Sequence, residues 1–368
     1  MKKFDHQRFL YGILGCAILF AILFFPQQSV NGMIAGLLSC GKQVVPALFP
    51  FFVVSSLIIA SPLADWLGIF LYPLTHFGFG ISSRKAATAL LISWLGGFAV
   101  AASTISSLYQ KNEITRRQAN LLLICGVGSG PAFVINTVGL LLLGNVSIGI
   151  CLMASLLCAN VATALLFRLM GSAFHPSEDA PHCAPLESPG GSTIQSIDLV
   201  AAIRNAVNSM LTVCGFVVFF RFLCTVLSAA LPHSELGFFF VCAGLEVTTG
   251  CTVGSMLPGD WAVIACCAAL SLQSLSVILQ VRALLCNQLS VLPLLVARPV
   301  HLLFSLYFLA RFMPHVPAQS AAAASTLYDT VISTTRTAPD TALVLFLLCC
   351  VVLHGLSLIQ NRKRNGTD

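Results

Sequence analysis

Charge is what this sequence has least of. Asp, Glu, Lys and Arg together make up 9% of its 368 residues, against about 25% in a soluble globular domain. That scarcity excludes a soluble domain, a disordered chain and a coiled coil, each of which needs charged or polar faces. Enzyme signatures are missing as well. There is no Walker phosphate loop, no H-E-x-x-H and no G-x-S-x-G, so neither an enzyme nor an energising ATPase subunit is expected. C-x-x-C spacing is absent although the chain holds 15 cysteines. All but Cys183 lie in or beside apolar runs, where cysteine acts as a small packing residue. His175, Glu178, Asp179, His182 and Cys183 gather in a polar stretch, but their spacing fits no zinc pattern and a solvated linker is expected there. Segments of short alternating hydrophobicity are also missing, which excludes a β-barrel. The net charge of +6 is too sparse and scattered for a nucleic-acid surface and reports membrane orientation instead.

What the chain has is apolar length. Hydrophobic residues make up 57% of it, in continuous runs that can cross a bilayer as helices with every backbone group bonded internally. The expectation is an all-α polytopic membrane protein with about eight transmembrane helices and two re-entrant helical hairpins. The first run, 9–25, follows Lys2, Lys3 and Arg8 and lacks a small-x-small cleavage site, so it is expected to stay as an anchor with a cytoplasmic N-terminus. An interfacial helix over 29–42 follows, then spans at 44–60, 119–143 and 146–170. In the second half, spans are expected at 198–231, 262–285, 289–312 and 341–360. The tail Arg362-Lys363-Arg364 marks a cytoplasmic C-terminus.

Two apolar stretches read as hairpins that enter and leave on one face. Residues 86–109 have basic flanks on both sides (Arg84 and Lys85; Lys111, Arg116 and Arg117), so a single crossing would strand one cluster outside. Gly96-Gly97 supplies the turn. Residues 236–257 lack basic flanks and carry Glu235 and Asp260, so this hairpin is expected to open to the outside, with Gly244 and Gly250 near its middle. Non-helical backbone at such depth must be wrapped by protein or line a watery cavity. A third break, Gly126-Val127-Gly128-Ser129-Gly130-Pro131, interrupts the span at 119–143. In the second half, Ser274-Leu275-Ser276 corresponds loosely to Ser129-Gly130-Pro131, and Leu245 to the hairpin centre at Gly97. The two halves thus share an order of parts and start on opposite sides, an inverted repeat whose paired interruptions point to a solute site between them.

Four stretches carry a family resemblance: Val45–Phe52, Ser129–Val134, Gly244–Gly250 and Ser274–Gln280. Residues 42–145 and 200–285 resemble the nucleoside-recognition, or gate, domain, and the chain as a whole resembles the YlbJ family of sporulation integral membrane proteins. The architecture is more distantly similar to concentrative nucleoside transporters, whose paired hairpins and broken helices hold substrate and a coupling ion. The resemblance implies five parts: an anchor and interfacial helix over 1–41, a first gate-like repeat over 42–170, a cytoplasmic linker over 171–197, a second repeat over 198–312, and an extracytoplasmic loop, last span and cytoplasmic tail over 313–368. It also implies a multi-pass protein of the cytoplasmic membrane, in the forespore or the mother cell. Its partners would be the bilayer, a small polar solute, further copies of itself or sporulation membrane proteins, and no nucleic acid. A cofactor is not expected, although a coupling cation such as sodium or a proton fits the transporter likeness. Where those transporters have polar and acidic residues at the first hairpin tip, this chain has Gly96-Gly97-Phe98-Ala99-Val100, and the other reading is a scaffold that has lost transport and serves spore-envelope assembly.

Glu246 is the sharpest candidate residue, the only ionisable group between Glu235 and Asp260. A carboxylate inside an apolar stretch marks an ion or solute site, or else pairs with an arginine such as Arg221 or Arg298. Thr248 and Thr249 add hydroxyls beside it. The break near Gly97, Ser129 and Gly130 exposes amide N–H groups at a half-helix N-terminus, suited to a polar or anionic group, and Asn136 adds an amide. Ser274, Ser276 and Gln280 are the matching polar residues of the second half, with the last two on one helical face. Interhelical hydrogen bonding is the alternative role for them. Arg298 and His301 lie inside the span 289–312, and Arg298 is a candidate counter-charge for Glu246.

Overall fold

The computed structural model describes residues 6–174, 199–230 and 234–313, and all the regular structure in them is helical. The chain opens with α1 (His6–Phe24) and α2 (Pro26–Ser39), set at 105° to each other. Pro26 causes the corner: it sits at the first position of α2, where its missing N–H is harmless, and forces Phe25 out of the helical region. A wide-turn stretch, Cys40–Val44, joins α2 to α3 (Val45–Ala60), which holds Pro46 and Pro50. A loosened turn beside two prolines absorbs the backbone bonds they cannot make. After Pro62 the chain turns by 101° into the short α4 (Leu63–Leu67) and two single turns, Gly68–Phe70 and Leu74–Gly78.

α5 (Arg84–Gly96) and α6 (Phe98–Gln110) form the first hairpin. Ser83 caps α5 through the Ala86 N–H. Gly97 makes the turn at φ 81° and ψ −173°, a region open to glycine and almost nothing else. Lys85, at the start of α5, reaches Glu113, just past α6, at 2.9 Å. Both ends of the hairpin therefore lie together. A capping box, Thr115 with Gln118, starts α7 (Arg116–Gly126). The backbone is then open to Pro131, and the second part of the broken helix is a wide-turn stretch, Ala132–Leu142. α8 (Val146–Phe174) closes this half. It runs past residue 170, into the stretch expected as linker. The rest of that linker and the span expected at 341–360 lie outside the described residues.

The second half repeats the order with one long helix, a hairpin, a broken helix and a closing helix. These are α9 (Leu199–Ala230), then α10 (Glu235–Leu245) with α11 (Val247–Gly254), then α12 (Trp261–Leu272) with α13 (Leu275–Leu284), and α14 (Leu292–Phe312). One expectation needs correction here. The hairpin breaks at Glu246, which is the residue matching Gly97, rather than at Leu245. The span expected over 262–285 is present as Trp261–Leu284, broken at Gln273, whose φ is +55°, and Ser274, next to the interruption expected at Ser274-Leu275-Ser276. Gly250 lets the arms of the second hairpin touch: a Cβ there would meet the Ala243 Cα at 2.6 Å.

α3 packs on α9 and α8 on α14, so the equivalent helices of the two halves meet. α6 lies against α13, and α11 against Ala132–Leu142, so each hairpin packs on the other half's broken helix. α2 lies along α9, where Gly32 and Gly36 face the Phe222 and Val218 backbone. Among the described residues four helical stretches are long and apolar enough to span a membrane (α8, α9, α12 with α13, and α14), or six if the two bent pairs, α1 with α2 and α3 with Leu63–Phe70, each count as one span. Their outward faces carry large apolar side chains such as Phe20, Leu23 and Leu303, the surface a bilayer would cover. The twelve described cysteines are free, most of them buried.

Candidate functional site

Glu246 sits where the second hairpin turns. Its extended backbone (φ −146°, ψ 122°) makes it the N-cap of α11. Oε1 accepts the Thr248 N–H at 2.8 Å and Oε2 the Thr249 N–H at 2.7 Å. The Thr249 hydroxyl donates to Oε2 at 2.6 Å and accepts from Arg221 Nη1 at 2.5 Å. Arg221, on α9, lies 3.6 Å from Oε2. The carboxylate is buried, yet every part of it is answered by its own helix end and one arginine. Orphan N–H groups at a helix start carry partial positive charge, which is why a buried acid is stable here.

Arg298 is not its partner. It extends from α14 to the broken helices, donating to the Val127 carbonyl at 2.6 Å and the Ser271 carbonyl at 3.4 Å. Gln273 Nε2 donates to the same Val127 carbonyl at 2.9 Å. The C-terminal ends of α7 and α12, both partially negative, thus converge on one guanidinium. The helix breaks account for this pairing: each exposes carbonyls that have lost their helical partners, and Arg298 answers both.

One cavity of 440 Å³ gathers most of the candidate residues. The first hairpin contributes Gly97 and the second Glu246 and Thr248. The broken helix of the first half contributes Ser129, Gly130 and Asn136, and α13 contributes Gln280. Gly97 and Gly130 touch, since a Cβ on Gly97 would lie 3.1 Å from the Gly130 nitrogen. The remaining wall is largely apolar, with Leu48, Phe98, Phe133, Val213 and Val277 among its members. Three candidates do not line the cavity. Thr249 is committed to Glu246 and Arg221. Ser274 caps α13 through the Val277 N–H. Ser276 accepts from Gln280 Nε2 at 2.9 Å, which turns the amide so that Oε1 has no hydrogen-bond partner among the described residues. Lys42 and Thr137 line the cavity too and were not singled out in the sequence. Their only signal was position, Lys42 beside the Val45–Phe52 motif and Thr137 next to Asn136.

Among the described residues no group of three or more His, Cys, Asp or Glu could hold a metal ion. The cavity offers amides, hydroxyls and free backbone groups over an apolar body, which suits a small solute held by a few directed hydrogen bonds.

No family model matches the chain, and no solved structure matches it. A curated relative does. Over 230 residues the chain is 26% identical to the sporulation integral membrane protein YlbJ of Bacillus subtilis (strain 168), an alignment covering 59% of this chain and 56% of that protein. The chain thus spans little more than half the length of that relative. With the apolar helices, the match marks this chain as an integral membrane protein, and it supports a relationship to the YlbJ family, to which the four sequence motifs pointed.

Proposed function

We propose that this protein is a transporter-like membrane protein that binds a small polar solute, and moves it, during sporulation. Its membrane role in sporulation rests on the likeness to YlbJ. The observation that carries solute binding is the 440 Å³ cavity, to which both hairpin tips and both broken helices contribute. Paired interruptions around one cavity are what an alternating-access site between inverted repeats requires. In this reading the two hairpins are re-entrant, from opposite faces, and both termini are cytoplasmic. The membrane is that of the forespore or the mother cell. No catalytic step is assigned.

Gln280 is the anchor in this account, with Ser129 and Asn136 as further contacts. Glu246 serves as the residue that fixes the second hairpin tip, because Thr248, Thr249 and Arg221 already occupy its oxygens. A coupling cation, sodium or a proton, would compete with those groups for the carboxylate. Gln280→Leu keeps the side chain's size and removes its hydrogen bonding. In purified protein, a thermal-shift screen of nucleosides, amino acids and sugars should find a stabilising solute, and Gln280→Leu should lose the shift. A screen with no binder, together with normal spore formation by Gln280→Leu, would overturn the reading.

The bare first tip, Gly96 to Val100, favours a second reading, a scaffold in spore-envelope assembly whose partners are further copies or other sporulation membrane proteins. In that case filling the cavity would leave spore formation intact.

A further inference from the structure

A second and much smaller cavity lies between the two helix breaks. It is lined by Ser93, Gly128, Met153, Asn160, Gln273, Arg298 and His301 among others, and offers about 10 Å³ to a water-sized sphere, room for one water. Four side-chain atoms around it are buried with no hydrogen-bond partner among the described residues: Asn160 Oδ1, Gln273 Oε1, Arg298 Nε and His301 Nε2. All four residues are 3–4% exposed. A buried polar atom left unpaired is costly, so four around one space constrain what fills it.

For Gln273, Arg298 and His301 the chemistry follows from what the other ends of the same groups do, and Asn160 is taken as the structure has it, with Oδ1 buried and unpaired. Gln273 Nε2 donates to the Val127 carbonyl, so its oxygen is the atom left over. Arg298 spends Nη1 and Nη2 on Ser271 and Val127 and keeps an Nε–H donor. The Ser305 hydroxyl donates to the His301 carbonyl at 2.7 Å, and the Ser271 hydroxyl lies 2.6 Å from His301 Nδ1. With Ser271 as the donor of that pair, the neutral ring carries its hydrogen on Nε2. The result is two acceptors, Asn160 and Gln273, and two donors, Arg298 and His301. A bound anion would face two amide oxygens, and a bound metal cation would face a guanidinium.

We propose that this cavity is a specific site for one water molecule, which donates to Asn160 and Gln273 and accepts from Arg298 and His301. It links α8, the break before α13, and α14 at the seam where the two halves meet. Ser129 lines both this cavity and the larger one, so the water stands directly behind the proposed solute site. The inference does not depend on solute binding.

X-ray hydroxyl-radical labelling tests it on the intact protein, because radicals formed from a bound water oxidise the side chains beside it. Met153 lines the cavity. Met210 is buried too, at 1% exposure against 6% for Met153, and lines neither cavity. Met153 should be oxidised several-fold faster than Met210, and equally fast when chloride is replaced by gluconate. Asn160→Leu, which fills the space, should bring Met153 down to the rate of Met210. Equal rates at the two methionines in the unaltered protein would overturn the proposal. So would a Met153 rate that follows chloride, which would mean an anion, or one that persists in folded Asn160→Leu. Equal rates in the unaltered protein would overturn it even if that variant fails to fold, and a Met153 rate that falls in folded Asn160→Leu separates the water from the small difference in exposure between the two methionines.

Discussion

Glu246 shows how one residue type can be read in two ways. A carboxylate alone in an apolar stretch is either a functional charge or a paired one, and the structure makes it a helix cap paired with Arg221. Glu246→Ala removes the acceptor for two buried N–H groups and leaves Arg221 without its acid. It should destabilise the protein by roughly 2–3 kcal/mol, read as a lower unfolding temperature in detergent. Glu246→Gln keeps one good acceptor and should lose less. If both variants unfolded like the parent, the cap would contribute nothing. The sequence named Arg221 and Arg298 as alternatives but had no means of choosing. Arg298 lies fifty-two residues from Glu246 and Arg221 twenty-five, and neither separation says which residue faces the hairpin.

At the scale of elements, the interruptions were legible where glycine and proline marked them. Gly96-Gly97 and the run from Gly126 to Pro131 are open in the structure as the sequence indicated. The break at Gln273 had no such mark. Gln273 adopts a positive φ without being glycine, and it is held there by its own bond to Val127 across the seam, a tertiary contact outweighing local preference. Gly97→Ala should cost about 1–3 kcal/mol, since alanine would have to hold a glycine-only conformation against the Gly130 backbone. Loss of any bound-solute shift should accompany it, because the tip would move. The Lys85–Glu113 pair, by contrast, is partly exposed, at 36% and 24%. Lys85→Ala should change stability by less than about 1 kcal/mol and should do so less at high salt, which thermal unfolding across a salt series would check.

For the whole molecule, the decisive geometry is that the ends of the first hairpin meet. A straight helix over 84–110 would hold its ends about 40 Å apart, whereas Lys85 and Glu113 are in contact. In a cysteine-reduced background, single cysteines at 84 and 117 should react with a membrane-impermeant thiol reagent from the same side. Cysteines at 234 and 260 should both react from the opposite side. Labelling of 84 and 117 from different sides would remove the re-entrant arrangement, and with it the argument for a site between two inverted halves.

The class of molecule and the order of its parts were readable from composition and pattern alone. Scarce charge and long apolar runs leave a helical membrane protein as the fold, and glycine and proline punctuate helices through local backbone energetics alone. Which groups pair follows from the way the helices pack. Hydrogen bonds between helices distant in sequence choose Arg221 for Glu246, send Arg298 to the two broken-helix ends, and divide the polar residues between a large cavity and a small one. Such choices depend on how helices cross and rotate against each other, and that is set by packing over the whole chain.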